Sequence, residues 1–310
     1  MTLPIATPTS LLLATDLSAR CDRALARAVQ LARQWNARLV VATVLPDRVA
    51  GEISSNLLSS APPLDDLRAR QLAERRLQRL LDGQAEGLAV DVRIGHGHIG
   101  RTVLQLAAEE SCGLIITGIS SDPLFELPML GSTVLWLTRH SLLPVLIVHD
   151  RERGPYRNLA VACDFSESVR YATHQALTLF GTPLQLSLVH ALESSGSLLF
   201  SGDREAMQSH ARADAREQAQ ALLAELRPLL GQAHVHKVIE PGDPAGVVSE
   251  HAQAAGTELV VVATHGRGAL FNLLIGSVAR QLVEALETDT LLVRDARSTA
   301  AATEVVDSPP

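Results

Sequence analysis

Short aliphatic runs alternate along this chain with longer stretches in which Ala, Leu and Val return every three or four positions. The first kind reads as buried strands, the second as helices with one apolar face. Leu11 to Thr15 is the first run. It ends in Asp16, and Ser18 stands where the N-cap of a helix over Ala19 to Trp35 is expected. Leu39 to Leu45 is a second strand, and the polar, Ser-rich Pro46 to Pro63 is a long loop. A charged amphipathic helix over Leu64 to Ala85 follows, then a strand over Leu88 to Ile94 and a helix over Ile99 to Ser111. Leu114 to Gly118 is a strand, Gly131 to His140 a helix and Val145 to Val148 a strand.

The pattern then begins again. Leu159 to Cys163 ends in Asp164, with Ser166 as the expected N-cap of a helix to Phe180. Leu184 to Ala191 is a strand, Glu193 to Gly202 a polar loop and Asp203 to Leu230 a long helix. Strands over Val235 to Ile239, Leu259 to Ala263 and Thr290 to Val293 alternate with helices over Ala245 to Ala255 and Val278 to Leu286. Asp16 and Asp164 lie 148 positions apart, and from Gly97 and Gly242 onward the offset is 145, pairing Gly131 with Gly276, Ser132 with Ser277 and Val148 with Val293. A constant offset over this length points to a tandem duplication. The expected organisation is a domain over 1–150 and a domain over 155–295, joined by Arg151-Glu152-Arg153-Gly154-Pro155, with a disordered tail over 296–310. Strands alternating with helices imply, in each domain, a five-stranded parallel sheet with helices on both faces: an α/β, Rossmann-like architecture.

Composition narrows the function classes. Aromatics make up 3% of 310 residues, so the cores must be built from Leu, Val, Ile and Ala. A net charge of −7 argues against nucleic acid or an anionic membrane as the main partner. Three scattered cysteines, Cys21, Cys112 and Cys163, give neither a disulfide framework nor metal-ligand spacing. The sequence shows neither a signal-peptide pattern nor an apolar run of about 20 residues, so a cytoplasmic location is expected.

The chemistry concentrates in Val260 to Val278. A buried strand breaks into Thr264-His265-Gly266-Arg267-Gly268, and nine residues after Gly266 comes Gly276-Ser277 at a helix start. Glycines let a backbone come close to a ligand, and the free N–H groups of a helix N-terminus face negative charge. Ala263-x-x-Gly266-x9-Gly276-Ser277 resembles the nucleotide-binding signature of the universal stress protein family: a small residue, two of any kind, Gly, nine of any kind, then Gly-Ser or Gly-Thr. Ala263 stands where that pattern has its first Gly. The resemblance covers Leu11 to Val293, in the tandem form, and implies adenine nucleotide alpha hydrolase-like domains. It further implies that Cys163, Asp164 and the backbone of Ala191 meet the nucleoside, and that Ala263, His265, Gly266, Arg267, Gly276, Ser277 and Val278 surround the phosphates. The first-copy equivalents are Thr15, Asp16, Val44, Gly118, Gly131, Ser132 and Thr133. One-domain relatives commonly pair through their last strands, which here implies an intrachain pseudo-dimer, with homodimers open as well.

Each residue also has a plainer reading. Asp164 at a strand-to-helix turn serves capping alone in many proteins. Arg267 is by default a solvent-facing cation, and His265 either bonds phosphate or fills the loop. In the first copy Ser121 replaces the second Gly of the signature and Asp122 follows it, which disfavours positive φ and repels an anion; that site is expected to be degenerate. Gly95-His96-Gly97-His98-Ile99-Gly100-Arg101-Thr102 matches G-x-G-x-x-G, but on the third strand of its unit, where a dinucleotide fingerprint does not belong. His96 and His98 lack partners for a metal site. Cys163 reads as a strand-end filler rather than a nucleophile. The expectation is a protein that binds ATP, or ADP or AMP, with Mg2+ on the phosphates, in stress response or regulation. No general base or arginine finger stands out, so turnover should be slow or absent. The alternatives are a slow ATPase, with His265 or Asp164 positioning water, and a non-nucleotide scaffold for a protein partner.

Overall fold

In this computed structural model the described residues are 7–18, 21–45, 66–121, 128–129, 132–192, 204–264 and 276–295. The expected loops over Pro46 to Pro63 and Glu193 to Gly202, and the tail over 296–310, lie outside them. The chain divides into two compact units at Gly118–Ile119.

The unit of residues 8–118 holds β1 (Ser10–Ala14), α1 (Asp22–Trp35), β2 (Arg38–Leu45), α2 (Asp66–Leu81), β3 (Val90–His96), α3 (Ile99–Glu109) and β4 (Ile115–Gly118). Its strands are parallel in the order β4-β1-β2-β3. The central strand β1 is the most apolar because it is covered on both faces; Leu11, Leu12 and Leu13 are fully buried. The right-handed rule for parallel crossovers puts α1 and α2 on one face and α3 on the other. Helix α1 buries Ala24, Leu25, Ala28 and Leu31 as one stripe, and stops at Asn36, whose left-handed φ of 51° turns its N–H back to Ala32 O. The expected N-cap Ser18 is not the cap. The helix is entered from Cys21, whose N–H donates to Ser18 O at 3.0 Å, with no side-chain cap.

From Ile119 onward come β5 (Ser120–Ser121), β6 (Pro128–Met129), α4 (Ser132–His140), β7 (Val145–Val148), β8 (Asn158–Ala162), α5 (Glu167–Phe180), β9 (Gln185–Leu192), α6 (Arg204–Leu230), β10 (His234–Pro241), α7 (Pro244–Ala254), β11 (Leu259–Ala263), α8 (Ser277–Ala285) and β12 (Asp289–Val293). The sheet runs β10-β9-β8-β11-β12-β7, parallel except for the last pair, where β12 meets β7 antiparallel with Leu291 opposite Leu146. The same crossover rule puts α5 and α6 on one face and α7 and α8 on the other, and each pair packs together.

One buried acid ties the inter-repeat segment to this sheet. Asp289, the first residue of β12, is 0% exposed. Its Oδ1 accepts from the N–H of His149 at 2.7 Å and of Asp150 at 2.9 Å, and its Oδ2 accepts from the Tyr156 hydroxyl at 2.6 Å. Tyr156 in turn sets its ring edge-on to Phe180, centroids 5.1 Å apart. Glu258 holds the next backbone groups, accepting from the N–H of Arg157 and Asn158.

Candidate functional site

In both units the chain reverses direction along the sheet between the first and fourth strands of the repeat, β1 beside β4 and β8 beside β11. The carboxyl ends of such strands frame the crevice where open α/β sheets take ligands. In the second copy, pairing sets Leu159 to Val161 against Leu259 to Val261, and Ala162 against Val189. One step further along these strands are Cys163, Asp164, Ala191 and Ala263, so the sheet brings these four expected residues to one edge. Cys163 is buried; Asp164, Ala191 and Ala263 are half-buried.

The turn after β8 is built around the acid. Asp164 Oδ1 accepts the N–H of Ser166 at 2.9 Å, and Ser166 Oγ caps α5 by accepting from Val169 N at 3.3 Å, as the sequence led us to expect. Between them Phe165 takes a left-handed φ of 61° with its ring buried. Few bulky residues tolerate that backbone; the Asp hydrogen bond and the packing of the ring hold it there.

Helix α8 starts at Ser277 with Gly276 as N-cap and no side-chain cap, and its first turn carries no acid. Its first amides therefore lack the usual side-chain acceptor and keep the positive end of the helix dipole. Gly276 N donates to Thr264 O at 3.0 Å, closing the segment between β11 and α8, and Thr264 N donates to Val293 O at 3.0 Å. The φ of Gly276 is −57°, and a Cβ added there would meet nothing closer than Thr264 O at 3.5 Å, an ordinary contact. Neither backbone nor packing among the described residues demands glycine at this position. Ser277 is exposed and Val278 half-buried. His265, Gly266 and Arg267 lie outside the described residues.

The first copy repeats the turn with different chemistry. Asp16 Oδ1 accepts the N–H of Ser18 at 2.9 Å and also the Cys21 thiol at 3.1 Å; Leu17 takes the left-handed φ, 63°, with its N–H on Thr15 Oγ1. Partial burial alone would raise the Asp16 pKa, but the hydrogen bonds from Ser18 and Cys21 outweigh it and hold the carboxyl below its ordinary value. Burial, and then the neighbouring carboxylate against a hydrogen bond from Thr15, leaves the Cys21 thiol above its own. Thr15 is buried, Val44 and Gly118 half-buried at the strand ends, Ser132 exposed and Thr133 half-buried at the start of α4; Gly131 lies outside the described residues. Ser120 pairs antiparallel with Met129, and Ser121 with Pro128. So here the segment between the fourth strand and the last helix opens with a small β-ladder.

A model of the universal stress protein family matches residues 9–149 and again 155–294. The chain belongs to the universal stress protein family. A universal stress protein of Mycolicibacterium smegmatis is 25% identical over 93% of this chain and 98% of its own length. Among solved structures, a protein of unknown function from Pseudomonas aeruginosa is similar with a TM-score of 0.65 at 19% identity, each chain covered to 96%. A universal stress protein of Archaeoglobus fulgidus is similar with a TM-score of 0.62 at 16% identity, over 93% of this chain and 97% of that one. At these identities the two structures speak to the fold alone.

Within this universal stress protein the Gly-rich run after the third strand serves the fold. Strand β3 extends to His96, so Gly95 is a strand residue, and a Cβ on it would stand 2.3 Å from Thr102 Cγ2. Gly97 turns with φ 106°, and His98 Nδ1 caps α3 by accepting from Arg101 N at 3.3 Å. The second copy does the same with Gly242 and Asp243. Among the described residues no three His, Cys, Asp or Glu are grouped to hold a metal ion, and no helix is long and apolar enough to cross a membrane. Sequence reasoning missed Phe165 and His190. For His190 the signal was available, an imidazole one position before the nucleoside contact expected at Ala191; for Phe165 the sequence offered none.

Proposed function

We propose that this universal stress protein binds an adenine nucleotide, ATP or its products ADP and AMP, in its second copy, and holds it as a signal in stress response or regulation. The observation that carries this reading is the start of α8. A glycine that neither backbone nor packing among the described residues needs precedes an exposed serine and a helix start with no side-chain cap and no acid in its first turn. Such an end accepts phosphate oxygens, and the missing Cβ at Gly276 leaves room for them. The nucleoside end would lie over Cys163, Asp164 and the Ala191 backbone; His265, Gly266 and Arg267 would complete the phosphate loop. Magnesium would arrive on the phosphates, and turnover would be slow. The reading places the protein in the cytoplasm, where its ligand is.

For the first copy we favour a degenerate site and a protein-contact role, on the observation that Ser120 and Ser121 are paired in a β-ladder rather than free to cradle an anion. The test is mass spectrometry of nucleotide released from purified protein, with calorimetric ATP titration of wild type and Gly276→Val. The expected result is a stoichiometry near one, lost in the variant while its melting temperature holds. A stoichiometry near two would overturn the degenerate first site. No binding at all would overturn the nucleotide reading.

A further inference from the structure

The rim of the second-copy site carries an imidazole to which the reading above gives no task. His190 lies on β9 one residue before Ala191, and its Nδ1 is 2.7 Å from the carbonyl oxygen of Cys163. A carbonyl only accepts, so Nδ1 carries the proton, and on a neutral ring Nε2 is then a bare acceptor. The ring also leans on Phe165, centroids 4.7 Å apart and tilted 44°, and Phe165 is itself fixed by burial in its left-handed turn. Two contacts thus hold the imidazole in place. Nε2 leaves the ring on the side away from Nδ1; the residue is half-buried, and Nε2 bonds no described residue. In the first copy the matching residue is Thr43, one before Val44, and it is buried.

We propose that His190 Nε2 reads the base edge of the second-copy ligand, accepting a hydrogen bond from an exocyclic amino group. The site would then favour an amino-purine nucleotide over one that presents no donor there. This rests on the nucleotide reading and assigns to it a specificity residue that the first copy lacks.

Calorimetry at pH 8 would compare ATP with purine riboside triphosphate, which lacks the amino group. Wild type should prefer ATP about tenfold, the worth of one buried hydrogen bond. His190→Asn keeps an amide N–H for the Cys163 carbonyl but has no atom at the Nε2 position; His190→Phe keeps the ring against Phe165 but has no acceptor. Both should weaken ATP about tenfold and leave the analogue within about twofold. Wild type without a preference overturns the proposal whatever the variants do. So does an equal loss for both ligands, which would mark His190 as packing alone. Nucleotide binding that survives either result leaves the binding reading standing, whereas wild type that binds neither ligand removes both.

Discussion

Asp289→Ala removes one side-chain acceptor shared by three donors: the amides of His149 and Asp150 and the Tyr156 hydroxyl. A hydrogen bond to a charged group contributes about 1.5–3 kcal/mol net, and a buried donor left without an acceptor costs about 1–3 kcal/mol. Against this, burying a carboxylate has its own desolvation cost, which removal of the charge returns. The three donors share one group, so their losses do not add. We expect a net destabilisation of about 3 kcal/mol, at the upper end of what single substitutions cost. Urea unfolding followed by Trp136 fluorescence, in the same compact unit, should show a midpoint lowered by roughly 1–2 M. Asp289→Asn keeps one oxygen for the two amides and should cost less than Ala, and Tyr156→Phe should cost about 1.5–3 kcal/mol. A stability for Asp289→Ala equal to or above wild type would refute the reasoning, because desolvation would then outweigh the three bonds.

Three further outcomes follow from particular contacts. Gly95→Ala should cost about 1–3 kcal/mol, since its Cβ would overlap Thr102 Cγ2, whereas Gly276→Ala should cost less, about 0.5–1 kcal/mol for the poorer N-cap; the pair of melting curves checks both. The Asp16 carboxyl, held below its ordinary value, binds fewer protons folded than unfolded, so its contribution to stability is complete above about pH 4 and is lost as the pH falls through the folded value. Carboxyl NMR titration should place Asp16 below that ordinary value, and Cys21→Ala should bring it back toward it. Burial first, and then the neighbouring His236, lowers the His251 pKa; its contribution to stability is therefore present above about pH 6.5 and fades below it. Imidazole NMR should find its midpoint under the ordinary value, and higher again in His236→Ala.

The fold was legible where one rule governs. Fully covered strands such as β1 and β11 advertise themselves as unbroken aliphatic runs, and the repeat offset locates each in its copy. The Gly95 to Thr102 decoy was legible by position, and the structure adds the reason: a strand packed too closely on Thr102 for a Cβ. Ser166 capped as expected and Ser18 did not, because the capping rule sees only nearest neighbours. In the first copy Asp16 is shared between a turn amide and the Cys21 thiol, and the helix is entered later. Left-handed Leu17 and Phe165 were not legible, because a single sequence offers no sign that tertiary packing will override their preference. The role of Asp289 was equally hidden. At its position the first copy has Pro144, and only the structure supplies the His149 and Asp150 amides that make an acid useful there.

The sequence repeats about a point near residue 150, yet compactness breaks at Gly118–Ile119, so α4 and β7 travel with the second half of the chain. A repeat is therefore complete at its last strand only when a strand from outside it pairs there. A chain cut at the linker would leave β12, all five of whose residues are buried, with an open hydrogen-bonding edge where β7 now lies. Such an edge seeks another strand, and the nearest supply is a second copy of the same fragment. Shuffling one half of this gene against a foreign partner would thus select first for a compatible last strand and only afterwards for whatever the two halves do.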